Sequence, residues 1–209
     1  MANQITVYPA NDPALDLKSI RDAVNAVKEG GTVILKRHAK DAPANVVTPF
    51  NVGGDDEANS ITLTKSVHIR GEQVNTADRE WHDPQGWAAG IGDGCGTTIV
   101  GGRVPFRVTL PAKKAAPAGV TIENIRFTGF YRIAVGILTA HGASKVTGCS
   151  FVDFKKSLTG KLRPQGAFPI VADSSDDPSL LSGDLFLTNN YFGKPPQPSM
   201  NNALHGWNT

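Results

Sequence analysis

The stretch GVTIENIRFTGF, from Gly119 to Phe130, decides the fold. Val120 and Ile122 alternate with polar neighbours, and Ile125 and Phe127 do the same, but the two alternations are out of phase. Strict alternation of apolar and polar residues indicates a half-buried β-strand. A break of phase within so short a stretch therefore predicts that one strand ends and a second begins.

This pattern recurs along the chain, which is typical of repeat architectures. The six residues IENIRF that begin at Ile122 align with VTGCSF from Val146 and with LTNNYF from Leu187. A looser copy, LTKSVHI, runs from Leu63 to Ile69 and has one extra residue in its middle. We interpret each copy as two strands joined by a corner.

The corner residues support this interpretation. The third position of the three tight copies holds Asn124, Gly148 and Asn189. Glycine and asparagine enter the left-handed backbone region at the least cost, so they allow the chain to turn sharply between two strands. Asn190 stands where Ile125 and Cys149 point inward in the earlier copies, and we expect it to begin an internal ladder of stacked amides.

A third strand completes each repeat. YRIAVGIL follows the best copy and places three apolar side chains on one face, and AFPIVA takes the same place one repeat later. The segment from Phe127 to Phe151 then forms one full turn of a coil, which contains three short strands joined by three corners. Such a coil cannot bury its apolar face alone and must stack on its neighbours. The fold class predicted is all-β, a solenoid of about four or five coils.

An amphipathic helix is predicted ahead of the coils. ALDLKSIRDAVNAVKEGG carries apolar residues at helical spacing, and Gly30 and Gly31 mark its end. We predict a capping helix over residues 15–30, because an uncovered end of a coil stack exposes strand edges and apolar side chains. The chain is read as one domain, 1–209, with coils over 32–193. Residues 194–209 form a tail that either caps the other end or marks a truncation.

With these features the sequence resembles the right-handed parallel β-helix proteins of the pectate-lyase-like superfamily. The resemblance rests on the helix leading into GGTVILK, on ITLTKSVHIRGE followed by TTIVGG, and on the GVTIENIRFTGF and LTNNYFG coils. It implies a surface suited to long polysaccharides. The superfamily includes lyases, hydrolases, esterases, tail spikes and adhesins, so the fold does not name a reaction.

The amino-acid composition limits the classes of partner that this chain is expected to bind. The net charge is only +2 in 209 residues, which argues against nucleic acid because that affinity depends on phosphate neutralisation. No apolar run is long enough to span a bilayer, and no secretory signal is present at the start, so we expect a chain that is cytoplasmic as written or extracellular after processing. Cys95 and Cys149 lack metal or redox spacing and are interpreted as small buried hydrophobes.

The candidate site lies in the long insertion between Phe151 and Phe192, because function is expected where coils depart from regular length. The insertion has a basic half and an acidic half. We predict that carboxylates there bind Ca²⁺, which would acidify the C5 proton of a uronate, and that a basic residue removes this proton in a β-elimination. The predicted metal ligands are Asp173, Asp176 and Asp177, the predicted catalytic residues are Lys161 and Arg163, and Lys155 and Lys156 are predicted to bind substrate. The alternative is that both halves of the insertion are solvated surface charge.

The loop from Glu72 to Gly96 is the second candidate. It contains Trp81 and Trp87, and indoles in polar loops often stack on sugar faces, since a flat apolar ring with a polar edge matches a pyranose. The alternative is that these rings seal the side of the barrel.

Two functions of different classes remain open. The first is a polysaccharide lyase or other enzyme acting on acidic polysaccharide. The second is a non-catalytic carbohydrate-binding or structural module, similar to an adhesin or spike segment, either by itself or as a part of a longer β-helix. In either case the C-terminal end of the stack is a possible contact for another subunit.

Overall fold

The computed structural model describes residues 1–43, 46–73, 96–110, 119–140, 142–152, 168–172 and 184–193. These residues form strands that pair only in parallel, together with one short helix. The elements in chain order are β1 (Ala2–Val7), α1 (Pro13–Ala26), β2 (Val27–Leu35), β3 (Phe50–Asn51), β4 (Ser60–Leu63), β5 (His68–Gly71), β6 (Thr97–Val100), β7 (Val104–Thr109), β8 (Thr121–Glu123), β9 (Ile125–Thr128), β10 (Ile133–Thr139), β11 (Ser144–Thr147), β12 (Ser150–Val152), β13 (Phe168–Ala172), β14 (Leu185–Thr188) and β15 (Tyr191–Gly193).

The strands assemble into three parallel sheets. Sheet A has the order β1-β2-β5-β8-β11-β14, sheet B has the order β3-β6-β9-β12-β15, and sheet C has the order β4-β7-β10-β13. From β2 onward the chain visits sheets A, B and C in turn, and each strand pairs with its counterpart from the preceding circuit. This arrangement is compatible with the parallel β-helix predicted from the repeat.

Inward side chains of successive circuits stack in register. In sheet A, Ile69 pairs with Ile122, which pairs with Val146. In sheet B, Phe127 pairs with Phe151, and their rings stack with centroids 5.2 Å apart. The fully buried apolar side chains from all three sheets form one continuous core. Because the stacking is along the axis, each circuit covers the apolar face of the one before it.

The three tight corners, between β8 and β9, β11 and β12, and β14 and β15, have the predicted backbone. Asn124, Gly148 and Asn189 adopt positive φ angles of 58°, 60° and 54°. The amide ladder expected to begin at Asn190 would continue outside the described residues and stays a prediction, but the contacts of Asn190 with the preceding circuit are defined. The Asn190 amide donates to the carbonyl oxygen of Val146 at 2.8 Å and accepts from the amide of Cys149 at 2.9 Å. It therefore satisfies the backbone of the preceding corner.

The left-handed corner makes a mutational prediction. Asn124→Ala is expected to lower the free energy of unfolding by about 1–2 kcal/mol, because alanine pays the steric cost of a positive φ. Asn124→Gly is expected to lose less, since glycine carries no such cost. Urea denaturation of both variants measures the difference. Equal losses would show that the Asn124 side chain, which accepts a hydrogen bond from Gln73 at 3.2 Å, matters more than its backbone.

The alignment of the looser copy, Leu63 to Ile69, with the three tight copies is wrong. Leu63 lies in sheet C, where it pairs with Val108, and Ile69 lies in sheet A. The stretch therefore crosses from sheet C to sheet A, whereas the tight copies cross from sheet A to sheet B. The extra residue reflects this different corner.

The helix differs from the predicted span of 15–30. It begins at Pro13, because the Asp12 carboxylate accepts from the backbone amides of Ala14 and Leu15, both at 2.9 Å. It ends at Ala26, and Val27 is already extended, with φ −67° and ψ 145°. The two glycines that suggested a helix end lie within β2.

Gly31 marks the passage of β1, a strand that the sequence did not predict. A Cβ on Gly31 would lie 2.7 Å from the carbonyl oxygen of Asn3, so only glycine allows β1 to pass so close. β1 extends sheet A beyond β2. α1 packs against β1, β2, β3 and β4 and buries Leu17, Ile20, Ala23 and Val24 in the core.

Candidate functional site

A polar groove of about 390 Å³ lies between α1 and the outward face of sheet C. α1 contributes Arg21 and Asn25 to it, and the segment before β4 contributes Glu57. The lining also includes Ser60 and Thr62 of β4, and Arg107 of β7. The groove is an open, concave site in the part of the chain that the structure describes.

Strand alternation places the groove residues. Ile61 and Leu63 of β4 point into the core, so Thr62 between them points outward. Phe106 and Val108 of β7 are buried in the same way, which turns Arg107 outward. Thr62 and Arg107 are direct partners in the parallel ladder, so their side chains stand next to each other on one face.

Arg21 holds the wall of the groove in place. Its guanidinium donates to the carbonyl oxygen of Ser60 from both Nη2, at 2.8 Å, and Nε, at 3.3 Å, and Nη2 also donates to the carbonyl of Ala58. These acceptors are neutral, so the positive charge of Arg21 is not cancelled by them. The helix thereby fixes both the shape of the wall and its positive potential.

Arg107 is an exposed cation of the groove. Its side chain is exposed, and it makes no hydrogen bond or ion pair among the residues that the structure describes. Among the described residues Glu57 is the one acidic side chain of the lining, and its side chain is 73% exposed and 4.0 Å from Arg103. The described lining therefore contains two guanidinium groups and one carboxylate. A planar guanidinium with free donors suits a carboxylate, which it can bind through two parallel hydrogen bonds.

Cys149 has no role in such chemistry. It is fully buried, and burial raises the pKa of its thiol to about 12, so it stays protonated at neutral pH. The interpretation of Cys149 as a small buried hydrophobe is confirmed. Cys95 lies outside the described residues.

The site residues predicted from the sequence also lie outside the described residues, and their roles stay predictions. They are Lys161, Arg163, Trp81, Trp87, Lys155, Lys156, Asp173, Asp176 and Asp177. Within the described ranges, no group of three or more His, Cys, Asp or Glu side chains is placed to hold a metal ion.

The sequence does not predict the groove. The one local signal of the groove is a charged residue at an outward strand position, Arg107 within PFRVTL, and such residues are common on exposed sheets. The site forms because Thr62 and α1 lie close to Arg107. This arrangement results from the stacking of circuits, and no local sequence pattern indicates it.

No protein-family model, no curated protein and no solved structure matches this chain significantly. None of the helices found in the described residues is both long and apolar enough to cross a membrane. In the part of the chain that the structure describes, the class of the protein is defined by an all-β architecture of three parallel sheets with one short helix and a polar groove beside one sheet.

Proposed function

We propose that this chain is a right-handed parallel β-helix that binds acidic polysaccharide in the groove between α1 and sheet C. The handedness follows the rule that crossovers between parallel strands of one sheet are right-handed in nearly all proteins. The regular passage through sheets A, B and C supports the helical course of the chain. α1, packed on the first circuit, serves as the cap of that end.

The observation that carries the proposal is the exposed guanidinium of Arg107, which has no hydrogen bond or ion pair within the described ranges and stands beside outward hydroxyl groups. A uronate unit offers one carboxylate and several hydroxyls. Arg107 can bind the carboxylate, Thr62 and Ser60 can exchange hydrogen bonds with the sugar hydroxyls, and Arg21 adds favourable potential. An uncharged sugar would leave Arg107 without a partner, so the groove favours acidic chains.

Arg107→Ala is expected to weaken the binding of a galacturonic acid oligosaccharide about tenfold, because one charge-assisted hydrogen-bonded contact is lost. Isothermal titration of the full chain measures the change. Lys18→Ala is the matched control, since it also removes one positive charge from an exposed site, where Lys18 only pairs with Asp22 at 2.5 Å on the helix. Equal affinities of Arg107→Ala and the native chain would exclude the groove as the binding site.

The same preparations test the elimination hypothesis for Lys161 and Arg163. Polyuronates are mixed with the protein and Ca²⁺, and the ultraviolet absorbance of unsaturated products is followed before and after a chelator. A rise that the chelator stops would support a Ca²⁺-assisted lyase. Binding without any rise would support the carbohydrate-binding module. Absence of both binding and a rise, on folded protein, would favour a structural β-helix segment.

A further inference from the structure

The outward face of sheet A carries a second set of groups suited to a ligand. Thr121 of β8, Lys145 of β11 and Phe186 of β14 are partners in adjacent strands and form one row along the axis of the stack. A parallel row has Glu123, Thr147 and Thr188 at the next outward positions. Neighbouring strands are about 4.8 Å apart, a distance comparable to one sugar unit of a linear polymer.

Phe186 is an exposed aromatic ring on this face. It is 44% exposed, although it lies on a strand and its neighbours on the outward face are polar. The ammonium group of Lys145 lies 6.0 Å from the ring centroid, so one side of the ring faces a cation. In the described residues no strand pairs with the other edge of β14, which leaves the second side of the ring without a strand against it.

Within the described ranges, Lys145 has no ion pair with a carboxylate. Glu123, the nearest acid in the second row, already pairs with Nε2 of His68 at 2.7 Å. Among the described residues, the cation–π contact with the ring of Phe186 is the one side-chain interaction of Lys145. The exposed hydroxyls of Thr147 and Thr188 lie 2.7 Å apart and can share further hydrogen bonds.

We propose that Lys145, Phe186, Thr147 and Thr188 form a second binding site for a uronate unit, on sheet A and separate from the groove on sheet C. Lys145 binds the carboxylate, the exposed part of the Phe186 ring beside it contacts an apolar edge of the sugar, and the threonines bond its hydroxyls. This site rests on the proposed function, because it takes the same class of ligand. Two sites on one chain let a long polymer bind with higher avidity than a short one.

The test titrates the full chain with a galacturonic acid trisaccharide, which is short enough to occupy one site at a time. The native chain is expected to bind two molecules, and Arg107→Ala is expected to keep one of them. Adding Lys145→Ala or Phe186→Ala to Arg107→Ala should weaken the remaining site about tenfold. Lys145→Arg should restore it. Lys18→Ala and Phe168→Ala remove an exposed lysine and an exposed phenylalanine elsewhere and should leave it unchanged.

The outcomes separate the two proposals. Complete loss of binding in Arg107→Ala alone would overturn the second site and leave the groove standing. Binding that depends on Lys145 and Phe186 but not on Arg107 would support the second site and exclude the groove. No binding by the folded native chain would overturn both. Because Lys145 and Phe186 point outward from sheet A, melting temperatures close to that of the native chain are expected for these variants.

Discussion

Phe127→Ala is expected to lower the free energy of unfolding by about 3–5 kcal/mol. Phe127 is fully buried in the third circuit. Its ring stacks on Phe151 at 5.2 Å and meets Phe106 edge to face at 5.9 Å between centroids. Removing it leaves a cavity that the circuits on both sides cannot close, because their strands are held in register by ladders in three sheets.

Position in the stack provides the control for this prediction. Phe192 stacks on Phe151 at 5.2 Å but belongs to the last described circuit and is only partly buried, so Phe192→Ala should cost less. Phe168 is 55% exposed, and Phe168→Ala should change stability by less than about 0.5 kcal/mol. Urea unfolding followed by circular dichroism ranks the three variants. If Phe192→Ala proves as costly as Phe127→Ala, the core does not weaken toward that end.

The ladder between circuits was readable from the sequence because two signals coincide at each tight corner. Alternation gives the direction of Ile122, Ile125 and Phe127, and Asn124 supplies the left-handed turn that reverses the phase. Each signal is local, within six residues, and it repeats. When such local signals repeat, they also predict how neighbouring circuits stack, because circuits of equal length align their inward residues.

Where circuits differ from the regular repeat, the same sequence pattern predicts the wrong structure. The corner at Leu63 to Ile69 resembles the tight copies in letters, yet it joins sheet C to sheet A. The sequence pattern predicts a helix end at Gly31, but the role of this glycine depends on Asn3, a residue in another strand. Such close approaches between distant segments are set by packing, which periodicity does not record.

The candidate site was harder to predict for a related reason. The sequence directs attention to charged clusters in long insertions, because loops commonly carry function. The groove consists of single outward residues on regular elements, Thr62, Arg107 and Arg21, brought together from separate circuits and from the helix. None of them is unusual alone.

Asp16 illustrates how strongly one buried polar residue can hold such an assembly. It lies on α1 with its side chain fully buried. Its carboxylate accepts from the backbone amides of Ala10 at 2.7 Å, Asn51 at 2.8 Å and Asp12 at 3.2 Å. Asn51 belongs to β3, so this one side chain joins the segment before the helix, the helix itself and the first strand of sheet B.

Asp16→Ala is therefore expected to destabilise the protein by about 3–5 kcal/mol, because three backbone amides lose an acceptor in a buried place. Asp22→Ala on the same helix is the control. Asp22 pairs with Lys18 in solvent, so its loss should cost less than about 1 kcal/mol. Equal effects of the two substitutions in urea unfolding would mean that Asp16 acts only through helix propensity.

The pH dependence of the Asp16 contribution tests its electrostatics. Burial raises the pKa of the Asp16 carboxyl above its ordinary value of 3.8, although the backbone amides act in the opposite direction. The folded state then holds the proton more tightly than the unfolded state, so unfolding releases it. Relative to Asp16→Asn, the native chain should be most stable below the ordinary pKa and should lose this advantage as the pH rises through the raised pKa. Urea unfolding of both proteins between about pH 3 and pH 7 measures the trend. An advantage that grows with pH would show that the three amide donors outweigh burial, so that the folded protein prefers the carboxylate.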